Sequence, residues 1–205
     1  EIIAAASEER FTRIKNCWGF PKNAVKFCLD FAKITPSKID LAALSYIDPY
    51  PHFVEGRAQE RKDISPKYLT RLRNIAPFFE YKIPQLSFLT DIGRKIYYSL
   101  YSPENQKKQV QEMSKLLKTD PEKIIRINHH LCHAYTAYFS NPDRTGEKTL
   151  ILTNDGAGDQ ICASIYLVES GKFRLISETQ HKHSLGLFYA TVTSYLGLRA
   201  HEDEY

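Results

Sequence analysis

Three histidines and a cysteine fall within five residues, His129-His130-Leu131-Cys132-His133, directly after the apolar run "IIRIN". His129 and His133 are four residues apart, His130 and His133 three. If a helix begins here, either pair lies on one face with both imidazoles able to reach one ion, which is metal-ligand spacing. A zinc protease of the HExxH type needs glutamate directly after its first histidine, and His130 holds that place, so protease chemistry is disfavoured. Neutral imidazole suits iron, zinc, copper and nickel, so the spacing does not choose the metal. The alternative is a structural role, with the rings satisfied by backbone groups at a strand end. Cys132 falls between the ligand faces and is expected to pack.

The stretch "TNDGAGD", Thr153 to Asp159, follows the apolar run "LIL". A carboxylate at the C-terminal end of a strand, followed by glycines, can face a metal or a phosphate. Asp155 is the candidate partner, and Gly156 and Gly158 allow a tight turn and close approach of a ligand to the backbone. An ordinary Asp-Gly turn is the alternative. Further on, "HKHSLGLFYATVTSYLGL" places His183 and Ser184 at the start of a helix, where unsatisfied N–H groups favour an anion. Near the beginning, "SEERFTRIK" collects Glu8, Glu9, Arg10, Arg13 and Lys15, which either orient an anionic substrate or form a solvated turn.

These groups need elements to hold them. "EIIAAA" reads as a buried strand, and a helix opening at Pro21 or Lys22 carries Val25, Cys28, Leu29 and Ala32 on one face, with "TPS" stopping it. "KIDLAALSYI" is a second strand. The Pro-punctuated middle reads as helical and ends in a polar helix with Val110, Met113, Leu116 and Leu117 on one side. "IIRIN" is a strand and "CHAYTAYFS" a helix. "TLILT" is a strand of the kind buried on both faces, with the turn at "NDGAGD". "ICASIYLV" and "FRLISETQ" form a hairpin with Gly171 in its loop. A last helix capped by Ser184 puts Leu185, Phe188, Val192, Tyr195 and Leu196 on one face. The alternation implies an α/β fold with a mixed sheet.

The 205 residues are 42% hydrophobic, enough for one sizeable core or two small ones. No stretch approaches the roughly 20 apolar residues of a membrane span, and charge near the N-terminus argues against a signal peptide; a cytoplasmic protein is expected. Four dispersed cysteines without a CxxC pair imply free thiols. The net charge of +4 concentrates, with aromatics, between Arg57 and Lys108. A helical subdomain with solvated Lys and Arg accounts for this better than a nucleic-acid surface. Both ends of the chain read as cut, as in a piece of a larger protein.

In order, "AAASEERFTRIKN", "FP" with its amphipathic helix, "HHLCHAYTAYF", "LILTNDGAGD" and "HSLGLFYATVTSYLG" resemble the O-carbamoyltransferases of nodulation-factor and antibiotic (cephamycin, tobramycin) biosynthesis. The resemblance implies an actin/sugar-kinase/Hsp70-like (RNase H-like) fold, related to the metalloprotein that makes threonylcarbamoyl-adenosine in tRNA. Residues 1–205 would be a fragment of its carbamoyl-transfer domain, with 49–118 a helical insertion and the C-terminal carbamoyl-adenylate domain absent, so the piece alone is expected to be inactive. ATP and carbamoyl phosphate would give carbamoyl-adenylate, and the carbamoyl group would pass to a small-molecule hydroxyl acceptor. His129, His133 and Asp155 would hold a divalent metal of the iron(II) type. Lys15, His130 and His183 are the candidate catalytic groups, and Gly156, Gly158, Ser184 and Gly186 the candidate adenylate-binding positions. A membrane or nucleic-acid partner is not expected; a homodimer is compatible with the reading but not legible in the chain. Two other readings stay open: a tRNA-modifying relative, and a noncatalytic actin-like ATP- or metal-binding module.

Overall fold

The computed structural model describes residues 2–14, 17–18, 20–47, 56–57, 82–83, 87–141, 148–200 and 203. Lys15 and much of the expected insertion at 49–118 lie outside them. The chain divides into two compact units, one of Glu1–Ala42 and Pro49–Ile124, the other of Ala43–Asp48 and Ile125–Tyr205.

In the first unit, α1 (Glu9–Thr12) precedes β1 (Cys17–Trp18), which pairs antiparallel with β3 (Gly56–Arg57). The helix expected from Pro21 or Lys22 is α2, Lys22–Ala32, and Val25, Cys28, Leu29 and Ala32 form its half-buried face. Its end is set by Lys33, not by the "TPS" segment: Lys33 turns left-handed (φ 56°) and the Ile34 N–H returns to the Leu29 carbonyl at 3.0 Å. Its start is capped from a distance. Glu8 Oε2 accepts the Ala24 N–H at 2.8 Å and Oε1 the Asn23 N–H at 3.2 Å, taking up donors the first turn cannot satisfy itself. The long helix α3 (Ser87–Leu117) buries Gln109, Met113 and Leu117 at steps of four, while Leu116, expected on that face, is exposed. Residues 2–6 of "EIIAAA" form no strand: Ile2 and Ile3 are exposed, and among the described residues no ladder partner pairs with them.

The strands β2 (Ala42–Leu44) and β4 (Ile124–Arg126) form a two-stranded sheet. The second unit then runs α4 (His129–Ser140), an antiparallel meander of β5 (Lys148–Gly158), β6 (Ile161–Glu169) and β7 (Lys172–Gln180), and α5 (Leu185–Tyr195). Two-residue turns with positive φ close both hairpins, Asp159-Gln160 and Ser170-Gly171, matching the right-handed twist of the strands. One face of the meander packs on α4, where Ala134, Ile151, Tyr166 and Val168 form the core with Leu131, Tyr138 and Phe173 around it. The result is an α/β fold, as expected.

Three expectations are corrected here. β5 is not buried on both faces: Ile151 and Thr153 point inward, while Leu150 and Leu152 are 69% and 70% exposed. An antiparallel strand with a helix on one side only alternates in this way. The glycines of "NDGAGD" do not make the turn; they belong to β5, and the turn comes one residue later. On α5 the apolar face is the exposed one, for Leu185, Phe188 and Tyr195, and Leu196 just after it, face out and the smaller Ala190 and Thr193 are buried. Small side chains let a helix approach its neighbour closely. No helix among the described residues is long and apolar enough to cross a membrane.

Candidate metal centre

Asn128 caps α4, its side chain accepting the Leu131 N–H at 3.0 Å, so His129 is the first helical residue and His133 lies one turn later on the same face. Opposite, the β5–β6 ladder is irregular between Asn154 and Gly158. Residues in such a bulge leave the regular pleat, and a side chain there is re-aimed. Asp155 is the one that turns to α4.

His129 Nε2 lies 2.8 Å from Asp155 Oδ2 and 3.0 Å from His133 Nε2, and His133 Nε2 is 3.5 Å from the same Oδ2. The tautomer of His129 follows from its other nitrogen. Nδ1 is 3.0 Å from the Ser45 carbonyl, which can only accept, so Nδ1 carries the proton and donates. In the neutral ring Nε2 is then a bare lone pair, facing a carboxylate and a second imidazole nitrogen. Such a convergence needs a cation, either a proton or a metal ion. Ligands bound at about 2.1 Å stand about 3.0 Å apart along an octahedral edge and about 3.4 Å along a tetrahedral one. The 2.8 and 3.0 Å separations lie near the first value and the 3.5 Å one near the second. Burial works against the charge on Asp155, but the His129 ring, when a proton bridges it to the carboxylate, the Gly156 N–H and the imidazoles nearby outweigh it and hold the carboxyl below the usual range.

Gly158 has a specific reason to be glycine: a Cβ there would overlap the His129 ring. Gly186 does as well, since its Cβ would stand 3.1 Å from Gly156 Cα, where the first turn of α5 meets β5. Ser184 caps α5 through the Leu187 N–H at 3.1 Å and donates to the Asp155 carbonyl at 3.4 Å. Gly156 has open space where a side chain would be. His183 is exposed in the short turn before α5.

His130 is corrected. Expected among the catalytic groups, it is fully buried, with Nε2 3.1 Å from the Ile161 carbonyl and Nδ1 2.8 Å from Thr153 Oγ1, itself 2.6 Å from Ser164 Oγ. Burial lowers its pKa and keeps it neutral, against the pull of the Ile161 carbonyl. It ties α4 to the β5–β6 hairpin. The thiol of Cys132 is also held near the protein backbone, 3.9 Å from the Ile127 carbonyl, and burial raises its pKa.

Asp159 and Ser45 escaped the sequence reading. Asp159 Oδ2 accepts the His129 N–H at 2.7 Å and Oδ1 the Ile47 N–H at 2.8 Å. The second Asp of "DGAGD" was a visible signal for the first; nothing in "LSYI" marks a carbonyl.

Two histidines on a helix and an aspartate on a bulged strand of an α/β fold define a candidate metal-binding enzyme domain. The chain matches the carbamoyltransferase N-terminus family over residues 1–205 and belongs to it. It is 27% identical over 204 residues to an uncharacterised protein of Synechocystis, an alignment covering 100% of this chain and 30% of that protein. The nodulation protein NolNO of Sinorhizobium fredii is 26% identical over 198 residues, 96% of this chain and 24% of that protein. An uncharacterised protein of Methanocaldococcus jannaschii is 27% identical over 226 residues, 96% of this chain and 36% of that protein. The chain therefore spans about a third or less of the length of these relatives.

Proposed function

We propose that the protein supplies the carbamoyl-transfer site of an O-carbamoyltransferase, acting in the cytoplasm on a small-molecule hydroxyl acceptor, with carbamoyl-adenylate, made from carbamoyl phosphate and ATP, as donor. The fold we assign is actin-like, with 49–118 as a helical insertion, and the adenylate-forming domain would belong to the longer protein. The observation that carries this reading is the convergence of His129 Nε2, His133 Nε2 and Asp155 Oδ2 in a member of the carbamoyltransferase N-terminus family. A divalent metal held there, iron(II) by the resemblance although two histidines and a carboxylate also accommodate manganese and zinc, would supply Lewis-acid polarisation of the carbamoyl carbonyl.

The chain's own groups do the remainder. Ser45 keeps His129 Nε2 free of a proton, and the bulge presents Asp155. The open backbone at Gly156 and the first turn of α5, at Ser184 and Gly186, would seat the adenylate phosphate, because helix N-termini offer unsatisfied N–H groups. Lys15 keeps the phosphate- or substrate-contacting role that the resemblance implies. The acceptor oxygen bonds to the carbamoyl carbon, that carbon's bond to the phosphate oxygen breaks, and AMP leaves. The acceptor's proton goes to a base, for which His183 is our assignment. Positioning donor and acceptor within reach would provide much of the rate.

The test is elemental analysis of anaerobically purified protein beside a His129→Ala/His133→Ala variant, followed by carbamoyl transfer in the longer protein. Near-stoichiometric metal that the double variant loses, with transfer lost alongside, supports the reading. A longer wild-type protein that holds no metal rules it out.

A further inference from the structure

We propose that Asp159 is a positioning residue for His129, acting on its backbone and its tautomer at once; the consequence for metal binding rests on the reading of His129, His133 and Asp155 as ligands. One carboxylate oxygen accepts the His129 N–H at 2.7 Å, the other the Ile47 N–H at 2.8 Å. Two residues before Ile47, the Ser45 carbonyl takes the proton of His129 Nδ1 at 3.0 Å. Asp159 thus grips both the start of α4 and the segment whose carbonyl decides which His129 nitrogen is bare.

The backbone at this point supports the assignment. Asp159 and Gln160 sit in left-handed conformations, φ 49° and 67°, although neither is glycine. These are the conformations that a two-residue hairpin turn requires, and from that turn Asp159 offers its carboxylate to the start of α4. Gly158, just before, leaves room for the His129 ring to lie against the strand. Within five residues β5 and its turn provide a carboxylate facing the histidines, a gap for the ring and a clamp for its backbone.

Loss of one acceptor at Asp159 would remove one of the anchors of the Ser45–Ile47 segment, leaving it held by Arg126 on the Ile47 carbonyl and by the Leu44 carbonyl's bond with the Ile127 N–H. The partner of His129 Nδ1 would then be less firmly fixed, and the ring could move its proton to Nε2, which blocks coordination. Groups that orient a histidine ligand from behind in this way typically govern metal affinity by about 10–100-fold.

Asp159→Asn is the variant of choice. Asparagine has nearly the same shape and tolerates the left-handed backbone, but it replaces one acceptor with an N–H donor. Ile151→Val, a change in the core beneath α4, serves as the stability control. Long-range nitrogen–proton NMR of the metal-free proteins reads the His129 tautomer, and anaerobic titration with iron(II) alone reads affinity. The expected result is a mixed His129 tautomer and iron(II) binding weakened by about 10–100-fold in Asp159→Asn, with both unchanged in Ile151→Val. A His129 that stays wholly protonated on Nδ1 in Asp159→Asn overturns the proposal, as does an affinity loss matched by Ile151→Val. If wild type binds no iron(II) yet Asp159→Asn still mixes the tautomers, the metal reading fails and the positioning role stands.

Discussion

His129 is constrained on every side: its N–H by Asp159, its Nδ1 by Ser45, its Nε2 by Asp155 and His133, and its ring by the missing side chain of Gly158. Gly158→Ala is therefore expected to displace the ring, lowering both metal affinity and melting temperature. Because the added methyl collides with His129 itself, the His129→Ala background should absorb much of the stability loss, which a double-mutant cycle by thermal unfolding would read. Its neighbour His130 works through a buried polar chain. Thr153→Val removes the hydroxyl that satisfies His130 Nδ1 and is expected to cost about 1–3 kcal/mol in denaturant unfolding, because a buried acceptor is left without its donor. At this scale the histidine pair and Asp155 were legible, since four-residue spacing needs only a helix to become a shared face. The assignment of His130 was not, because its partners come from a hairpin more than twenty residues away.

At the scale of elements, α2 depends on a cap from outside itself. Burial opposes the charge on Glu8, but the Ala24 N–H and the donors of Asn23 outweigh it, so its pKa is lowered on folding. A lowered carboxyl favours the folded state while ionised. Its stabilisation is complete above the ordinary glutamate pKa of about 4.3 and disappears as pH falls through the folded value. Glu8→Gln is expected to cost about 1 kcal/mol near neutral pH, and its melting curves should converge with wild type in acid. No convergence would remove Glu8 as the source. In the second unit, Ile151→Ala opens a cavity beneath α4 and should cost about 2–5 kcal/mol by chemical denaturation. Helices and hairpins were readable from period and turn residues. The outward face of β5 was not, because an apolar run looks the same whether one of its faces is covered or both.

For the whole molecule, the notable surface is apolar. Leu150 and Leu152 on β5, Leu185 and Phe188 on α5, and Leu196 just after it, are exposed within a chain of net charge +4. Such surfaces promote association. Leu152→Lys is expected to reduce self-association in sedimentation velocity while changing stability by no more than about 0.5 kcal/mol. The sequence alone determined what local rules govern: the α/β alternation, the presence of a helix after "IIRIN", the hairpin at Gly171, the HxxxH pair and the family resemblance that the match over residues 1–205 bears out. Tertiary structure alone decided which histidine faces outward and which is sealed inside, why Gly158 has no side chain, and that Asp159 grips His129. Those answers depend on contacts between segments far apart in the chain, where distance and direction are set by packing and no periodicity records them.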